Sequence, residues 1–292
     1  MNALAITFRS ALRQAVLQFK EAGSDSPDLD AAVLLCHVTG LDRAGVYANS
    51  NRRLSEEEEV LFRELTRRRR GGEPVAYITG RKEFMGLDFM VNRAVLIPRP
   101  ETELLVETAL KLMPAASTVV DVGTGSGAIA VSLAFYNPGA LVYAIDCSPE
   151  ALAAARRNAA ENGVAGRVFF YEGSLLDPLS GVLQPGQADL VAANLPYIAT
   201  GDLSALPGEV RLFEPLLALD GGGDGLEHYR RLIPQAEIYL KKGGALLFEI
   251  GFNQGRQALD LLHPSQWKAS VVKDLAGLDR LVVAEYLGCG PG

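Results

Sequence analysis

A glycine loop that directly follows a short apolar segment constrains the fold of this chain more than any other feature. Val119-Val120-Asp121-Val122 leads into Gly123-Thr124-Gly125-Ser126-Gly127. Glycines permit a tight turn and let the backbone approach a ligand where a Cβ atom would clash. The pattern therefore predicts a buried strand, a ligand-binding loop and the start of a helix, which is a unit of an α/β fold.

The rest of the chain from about residue 96 onward repeats this alternation of strand and helix. The apolar runs predict strands near 118–122, 141–146, 167–172, 189–193, 244–250, 267–272 and 279–286. Helical spacing predicts helices near 101–113, 126–136, 149–162, 226–241 and 253–262. Such alternation is typical of a mostly parallel sheet that is covered by helices on both faces.

The first part of the chain has a different pattern. Helical periodicity predicts helices at 3–22, 27–40 and 55–70, the last opened by a Ser55–Glu58 capping box. Between 74 and 95, Tyr77 to Gly80 and Phe84 to Val91 alternate, which predicts extended chain in a hairpin linker. We predict a helical domain at 1–73 that docks the substrate, a β-hairpin linker at 74–95 and an α/β domain at 96–292.

Composition excludes several classes of protein. Among 292 residues, 48% are hydrophobic and 22% charged, with a net charge of −7. This acidic balance argues against a protein whose main task is to bind a polyanion. Cys36, Cys147 and Cys289 are too widely spaced for a metal site or a disulfide framework, which predicts a cytoplasmic protein without a metal. The basic run Arg67 to Arg70 is interpreted as the solvated face of a helix, with a docking surface as the alternative.

Two acidic residues near the glycine loop indicate a nucleoside cofactor. The loop lacks the G-x-G-x-x-G spacing that binds a pyrophosphate, so a cofactor without phosphate is favoured. Asp146 ends the second strand, where a carboxylate can accept hydrogen bonds from both ribose hydroxyls and would repel a 2′-phosphate. Asp121 could hold the amino end of S-adenosylmethionine or order the loop. After the third strand, Ser174 could bond an adenine edge and Leu175 could pack on the ring.

A second polar segment follows the fourth strand of the α/β part, at the sheet edge that also bears the glycine loop. It reads Asn194-Leu195-Pro196-Tyr197. The Asn194 side-chain oxygen and the Leu195 carbonyl could accept both hydrogens of a planar NH₂ group. Pro196 would stiffen the turn, and Tyr197 could pack on the planar group. Asn followed by Pro and Tyr is typical of methyltransferases that modify such nitrogens, so we predict methyl transfer to an amide or a nucleobase amino group.

At the level of these motifs the chain resembles the release-factor glutamine methyltransferases, the HemK family. The resemblance rests on segments spread over nearly the whole chain: Gly72 to Gly80 with Phe84, Leu96 to Glu103, Asp121 to Gly127, Asn194 to Tyr197, and Glu214 to Gly222 with Asp224 and Gly225. It implies a seven-stranded Rossmann-like class I methyltransferase sheet, mostly parallel with an antiparallel last strand, beside an N-terminal helical bundle. The implied reaction methylates the glutamine amide in the Gly-Gly-Gln motif of peptide-chain release factors.

The resemblance also assigns site residues. The implied S-adenosyl-L-methionine site consists of Gly123, Thr124, Gly125, Ser126, Gly127, Asp146, Leu175 and Asn194. The implied catalytic and substrate-binding residues are Asn194, Leu195, Pro196 and Tyr197, and Arg99 to Glu101 would line the cofactor entrance. This chain departs from the family at Leu195, where a proline is usual, and at Ser174-Leu175, where an acid and an aromatic residue are common.

The motifs are compatible with other functions. Ribosomal RNA adenine methyltransferases also carry Asn-Leu-Pro-Tyr, although they lack the segments matched at 72–103. A catalytically silent nucleoside-binding module on the translation machinery is the second alternative, and a dinucleotide oxidoreductase fits the loop spacing poorly. The favoured hypothesis predicts a release factor as the partner, no direct nucleic-acid substrate, no membrane contact and a monomer.

Overall fold

The computed structural model describes residues 6–288, so the predicted helix start at residue 3 and Cys289 lie outside the described residues. The chain divides into two compact units, Met1–Gly80 with Pro207–Phe213, and Arg81–Leu206 with Glu214–Gly292. In the described part, no helix combines the length and apolar character that crossing a bilayer would need.

The described chain contains helices and strands with the following bounds. The helices are α1 (Phe8–Glu21), α2 (Pro27–Thr39), α3 (Arg43–Ala48), α4 (Glu56–Arg70), α5 (Val75–Thr79), α6 (Glu103–Leu112), α7 (Ala128–Tyr136), α8 (Pro149–Glu161), α9 (Gly208–Phe213), α10 (Glu227–Tyr239) and α11 (Gly255–Leu259). The strands are β1 (Arg81–Phe84), β2 (Leu87–Met90), β3 (Thr118–Val122), β4 (Leu141–Asp146), β5 (Val168–Glu172), β6 (Ala188–Ala193), β7 (Leu240–Glu249), β8 (Trp267–Lys273) and β9 (Asp279–Tyr286).

The first unit is a bundle built from α1 to α5 and α9. Its core consists of buried apolar side chains from the helices, including Phe8, Phe19, Leu35 and Phe62. The predicted capping box is confirmed, because the Ser55 side chain accepts from the Glu58 amide and the Glu58 side chain accepts from the Ser55 amide. The two reciprocal bonds satisfy two N–H groups that a helix start otherwise leaves without partners.

The prediction of extended chain at Tyr77 to Gly80 is wrong, because Val75–Thr79 forms the helix α5. Local β propensity is overridden here by burial, since Ile78 joins the core of the bundle. Gly80 then ends the helix with φ +72°, a left-handed conformation that glycine adopts at little cost. The predicted hairpin is confirmed only for the following segment, where β1 pairs antiparallel with β2.

Three arginines of the basic run are paired within the first unit. Arg67 bonds Glu64 at 2.6 Å and Arg68 bonds Glu73 at 2.8 Å. Arg69 is buried, and its guanidinium contacts Asp30 at 2.7 Å and Glu209 at 2.8 Å. The interpretation as a solvated helix face therefore holds for Arg67 but not for Arg69, which ties the α9 segment to α2 and α4.

The second unit contains a seven-stranded sheet of order β5-β4-β3-β6-β7-β9-β8. All neighbouring pairs from β5 to β7 are parallel, and β9 runs antiparallel to both β7 and β8. Buried side chains lie on both faces of the sheet, as expected for central parallel strands. Because the chain order reverses between β3 and β6, a crevice opens at the carboxyl ends of these strands.

Buried Asn158 on α8 ties the hairpin to the glycine loop. Its side-chain oxygen accepts from the Met90 amide at 2.7 Å, and its NH₂ group donates to the carbonyls of Met90 at 3.0 Å and Ser126 at 2.8 Å. One amide thus satisfies three backbone groups, which fixes the loop from the side of α8.

Candidate active site

A cavity of about 560 Å³ lies where β3, β4 and β6 end. Its wall includes the glycine loop, the residues that follow β4, β5 and β6, and parts of the 94–102 and 215–231 segments. The site is therefore at the topological switch point of the sheet, where ligands bind in open α/β folds. The predicted residues Gly123 to Ser126, Asp146, Leu175 and Asn194 all line this one cavity.

The glycine loop turns over the end of β3 in conformations that favour glycine. Gly123 has φ +72° and Gly125 has φ +56°. A Cβ atom on Gly123 would lie 2.8 Å from Cδ2 of Leu195, which is closer than real contacts allow. Gly127, which is not among the described residues of the cavity wall, caps the start of α7 with φ +80°, and a Cβ on it would lie 3.1 Å from Ala155. Glycine is thus required both by backbone conformation and by close packing.

Asp146 ends β4 on the cavity wall. Its carboxylate accepts from the Gly125 amide at 2.8 Å and from the Ser148 amide at 2.9 Å. Burial raises the pKa of Asp146, and these backbone hydrogen bonds oppose that rise. The amide and thiol of Cys147 act in the same direction through hydrogen bonds to Asp146. Asp146 therefore holds the loop, and its position on the cavity wall brings a hydrogen-bond acceptor to the site.

Asp121 is fully buried and is not among the described residues that line the cavity. One carboxylate oxygen accepts from the Thr124 hydroxyl at 2.6 Å and from the Ala130 amide at 3.1 Å. The other oxygen has no hydrogen-bond partner in the described structure, and burial raises the pKa of Asp121 to about 7. Of the two roles considered from sequence, these contacts favour ordering of the loop.

Leu175 lies on the cavity wall with φ +50°, a conformation that costs a non-glycine residue about 1–2 kcal/mol. Its neighbours hold it there. The Ser174 hydroxyl accepts from Arg231 at 3.1 Å, and the Leu176 amide donates to the Gln235 side chain at 2.8 Å. The strain presents an apolar side chain to the cavity directly after β5.

The Asn194 to Tyr197 turn leaves β6 beside the glycine loop. Asn194, Leu195 and Pro196 line the cavity, but Tyr197 is not among the described residues of its wall. Instead, the Tyr197 hydroxyl donates to Glu249 at 3.0 Å, and its pKa is raised by burial and by that carboxylate. Two glycines cover the turn closely, because a Cβ on Gly221 would lie 2.6 Å from the Pro196 oxygen and one on Gly225 would lie 2.2 Å from the Tyr197 oxygen.

Thr102 and Glu249, to which the sequence motifs assigned no role, are connected to Asn194 by hydrogen bonds. Thr102 contacts Asn194 directly, and Glu249 is reached through Thr102. The Asn194 NH₂ group donates to the Thr102 hydroxyl at 3.0 Å, and that hydroxyl donates to Glu249 at 2.7 Å. Thr102 lines the cavity, whereas Glu249 is 1% exposed beneath it. Glu249 is the last residue of β7, so the rule that identifies polar residues at carboxyl ends of parallel strands could have found it.

The 94–102 and 215–231 segments add polar side chains to the cavity wall. Arg99 lines the cavity and forms an ion pair with buried Glu214, which also accepts from the Ile97 amide at 3.2 Å. Pro100 and Glu101 are not among the described wall residues. His228, to which the sequence assigned no role, lies on the wall, with its Nε2 atom 3.2 Å from the Asp220 carbonyl.

Comparison with known proteins matches both parts of the chain. Residues 10–80 match the PrmC N-terminal domain, and residues 115–259 match a methyltransferase domain. The crystal structure of a methyltransferase from Pyrococcus furiosus has the same fold, with a TM-score of 0.50 and 18% identity over 71% of this chain and 92% of that one. The sheet order and the matched domain are those of a class I methyltransferase, which confirms the predicted fold.

Similarity to curated relatives extends over almost the full length. The chain is 44% identical over 263 residues to release factor glutamine methyltransferase of Geobacter sulfurreducens, covering 90% of each chain. It is 45% identical over 283 residues to the protein of that name from Moorella thermoacetica, covering 96% of this chain and 98% of that one. The chain belongs to the family of release factor glutamine methyltransferases, and the resemblance inferred from the motifs is confirmed.

Proposed function

We propose that this protein methylates the side-chain amide nitrogen of the glutamine in the Gly-Gly-Gln motif of peptide-chain release factors, with S-adenosylmethionine as methyl donor. The observation that carries the proposal is that Asn194, Leu195 and Pro196 line the same cavity as the glycine loop and Asp146. A site for a nucleoside and a site for a planar amide thus share one wall.

The residues present fit the cofactor. The loop at Gly123 and Gly125 offers backbone without side chains, and Asp146 places a carboxylate, which accepts hydrogen bonds, on the cavity wall for the ribose hydroxyls. Leu175 would pack on the adenine ring, and Asn194 would lie between the cofactor and the acceptor. When bound, S-adenosylmethionine supplies an electrophilic methyl group on a sulfonium. We propose the loop Gly123 to Gly127, Asp146, Leu175 and Asn194 as its binding residues.

The acceptor turn would activate a poor nucleophile by orientation. An amide lone pair is delocalised into the carbonyl, so a useful site accepts both N–H hydrogens and holds the group in place. The Asn194 Oδ1 atom would accept one hydrogen and the Leu195 carbonyl the other. Pro196 restricts the turn that aims this carbonyl, and Tyr197 anchors the turn through Glu249. Apolar wall residues exclude water, which strengthens these polar contacts.

The direct test is transfer of tritium from labelled S-adenosylmethionine to a purified release factor. The same factor with its Gly-Gly-Gln glutamine changed to glutamate, and bare ribosomal RNA, serve as alternative acceptors. We expect label on the glutamine-bearing protein alone. Label on the glutamate variant or on RNA would overturn the proposal in favour of another acceptor. Cofactor binding without any transfer would favour a silent nucleoside-binding module.

Replacement of Asn194 tests the assignment of the acceptor turn. Asn194→Ala should lower the transfer rate about 100-fold or more, as expected for loss of one preorganised hydrogen-bonding group. Asn253→Ala is the matched control, because Asn253 is exposed in the same unit and does not line the cavity. Equal rates for the two variants would overturn the role of Asn194.

We further propose that the helical domain at 1–73 docks the release factor. The separate family match at 10–80 supports a distinct task for this part of the chain. Hydrogen exchange with and without release factor tests docking, and protection confined to residues beyond 96 would contradict it.

We also propose that the protein acts as a cytoplasmic monomer without contacting nucleic acid. Sedimentation of the free protein tests whether it is a monomer, and methyl transfer without ribosomes or RNA tests its independence from nucleic acid.

A further inference from the structure

A hydrogen-bonded chain runs from the acceptor turn into the protein. Asn194 Nδ2 donates to Thr102 Oγ1 at 3.0 Å, Thr102 Oγ1 donates to Glu249 Oε2 at 2.7 Å, and Tyr197 Oη donates to Glu249 Oε1 at 3.0 Å. Thr102 is 4% exposed and Glu249 is 1% exposed. We propose that Thr102 and Glu249 are positioning residues that fix which end of the Asn194 amide faces the acceptor.

The single hydrogen of the Thr102 hydroxyl decides which groups donate and which accept along this series of hydrogen bonds. A threonine hydroxyl has one hydrogen, and an ionised carboxylate can only accept. The Thr102 hydrogen is therefore committed to Glu249, so Thr102 can offer Asn194 only a lone pair. The Asn194 atom that contacts Thr102 must then be the nitrogen. The two ends of a side-chain amide are nearly equal in size, so packing alone would not select between them.

The orientation leaves the oxygen of Asn194 available. Asn194 Oδ1 accepts no hydrogen bond from any residue between 6 and 288, and Asn194 lines the cavity. On the proposed function, which this inference requires, that oxygen must accept an N–H of the substrate glutamine. A flipped Asn194 would present NH₂ to NH₂, which is repulsive. The acceptor site thus depends on two residues that need not touch the substrate amide.

A buried carboxylate at position 249 costs desolvation free energy. Its presence is explained if both of its hydroxyl neighbours need an acceptor. Burial of an ionised group carries a large desolvation penalty, and a glutamine would bridge the same neighbours at lower cost. A glutamine, however, offers one oxygen and one NH₂ group. It would satisfy one hydroxyl as an acceptor and present a donor to the other. Only a carboxylate accepts from Thr102 and Tyr197 together.

These hydrogen bonds around Glu249 also predict that the turnover rate depends on pH. Burial raises the pKa of Glu249, the Thr102 and Tyr197 hydroxyls and Arg280 lower it, and Glu101 raises it. Protonation gives Glu249 a hydrogen of its own, so the Thr102 hydrogen is released and the Asn194 orientation is no longer fixed. The turnover rate should therefore fall as pH drops through this raised pKa. Glu249→Gln should turn over more slowly and lack this acid limb.

The decisive experiment compares Thr102→Val with Thr102→Ser, in the full-length protein and in its Asn194→Ala variant. Turnover, KM for the release factor and Kd for S-adenosylmethionine are measured, and thermal melting verifies folding. We expect Thr102→Val to lower kcat about tenfold, the factor that corresponds to one lost hydrogen bond. Cofactor Kd should stay within about twofold, and Thr102→Ser should restore most of kcat. In the Asn194→Ala background, Thr102→Val should cause no further loss.

The outcomes separate this inference from the proposed function. If the unaltered protein does not label the release factor, the proposed function fails and the positioning role fails with it. If it does label the factor, unchanged kcat in Thr102→Val would overturn the positioning role alone. An equal additional loss in the Asn194→Ala background would also overturn it, because Thr102 would then act independently of Asn194. Should Thr102→Val not fold, retention of the acid limb in Glu249→Gln would overturn it.

Discussion

The backbone N–H of Leu195 donates a hydrogen bond to the hydroxyl oxygen of Tyr229, 3.2 Å away. The Tyr229 hydroxyl donates in turn to the Glu249 carbonyl at 2.5 Å. The family usually has proline at position 195, which has no N–H to satisfy. In this chain, fully buried Tyr229 supplies the acceptor for that extra donor and links the ends of β6 and β7. This hydrogen bond restrains the turn at Leu195, where no proline ring restricts φ.

Removal of the Tyr229 hydroxyl should loosen the acceptor turn. Tyr229→Phe leaves the Leu195 amide buried without a partner, which should lower the free energy of unfolding by about 1–3 kcal/mol. The rate of methyl transfer should fall as well, because the Leu195 carbonyl belongs to the same turn. Tyr239→Phe on the same helix is the control, since Tyr239 is also buried and no described residue bonds its hydroxyl. Equal urea denaturation curves for the two variants would contradict this role.

Alanine in the glycine loop should damage function through a steric contact. Gly123 and Gly163 have nearly the same φ, +72° and +71°, but only a Cβ on Gly123 meets a neighbour, Leu195 Cδ2 at 2.8 Å. Gly163→Ala should cost about 1–2 kcal/mol of backbone strain and leave transfer unchanged. Gly123→Ala should incur the same strain, displace Leu195 and lower the transfer rate. Identical transfer rates for the two purified variants would show that the contact with Leu195 is unimportant.

The buried carboxyl of Asp121 should make stability fall as pH rises. Its pKa of about 7 in the folded protein exceeds the usual value near 3.9, chiefly because of burial. Between these values the folded state binds a proton that the unfolded state lacks, so the free energy of unfolding decreases with pH and levels off above about 7. Asp121→Asn lacks this titration. Urea denaturation at several pH values should show the stability of the natural protein falling relative to Asp121→Asn across this window; a constant difference would contradict the assignment.

Within the basic run, Arg69 and Arg67 should differ sharply in their effect on stability. Arg69→Ala leaves buried Asp30 without its ion-pair partner, which should cost about 3–5 kcal/mol. It also removes the contact with Glu209 on α9. Arg67→Ala removes only an exposed pair with Glu64 and should leave the thermal midpoint unchanged. Similar melting curves for both variants would show that burial of Arg69 contributes nothing.

Sequence patterns predicted the sheet well because strand formation here depends on local apolar runs. The bounds predicted for β3, β4 and β9 agree with the structure, whereas β7 begins earlier, at Leu240. The patterns failed where local preference and burial disagree, as in α5. They also did not predict the short helical turns at Thr200–Ala205 and Leu216–Ala218, which have no periodic apolar face.

In the candidate site, too, local patterns reveal some residues and miss others. Polar residues that directly follow an apolar strand, such as Asp146 and Asn194, could be identified from the chain because strand ends are visible in the sequence. Thr102 and Glu249 could not be paired in this way, since 147 residues separate them. Tyr229 lies inside a helix and gives no local sign that its hydroxyl meets Leu195.

Local patterns along the chain were thus enough to predict the α/β class, the family, and the motifs whose side chains and glycines lie along one edge of the sheet. The pairing of buried polar groups became visible only in the folded protein: Thr102 with Glu249, Tyr197 with Glu249, and Tyr229 with Leu195. Local patterns record burial and backbone preference. A hydrogen-bond partner is selected by strand order and side-chain direction, which bring distant residues within 3 Å or so of each other.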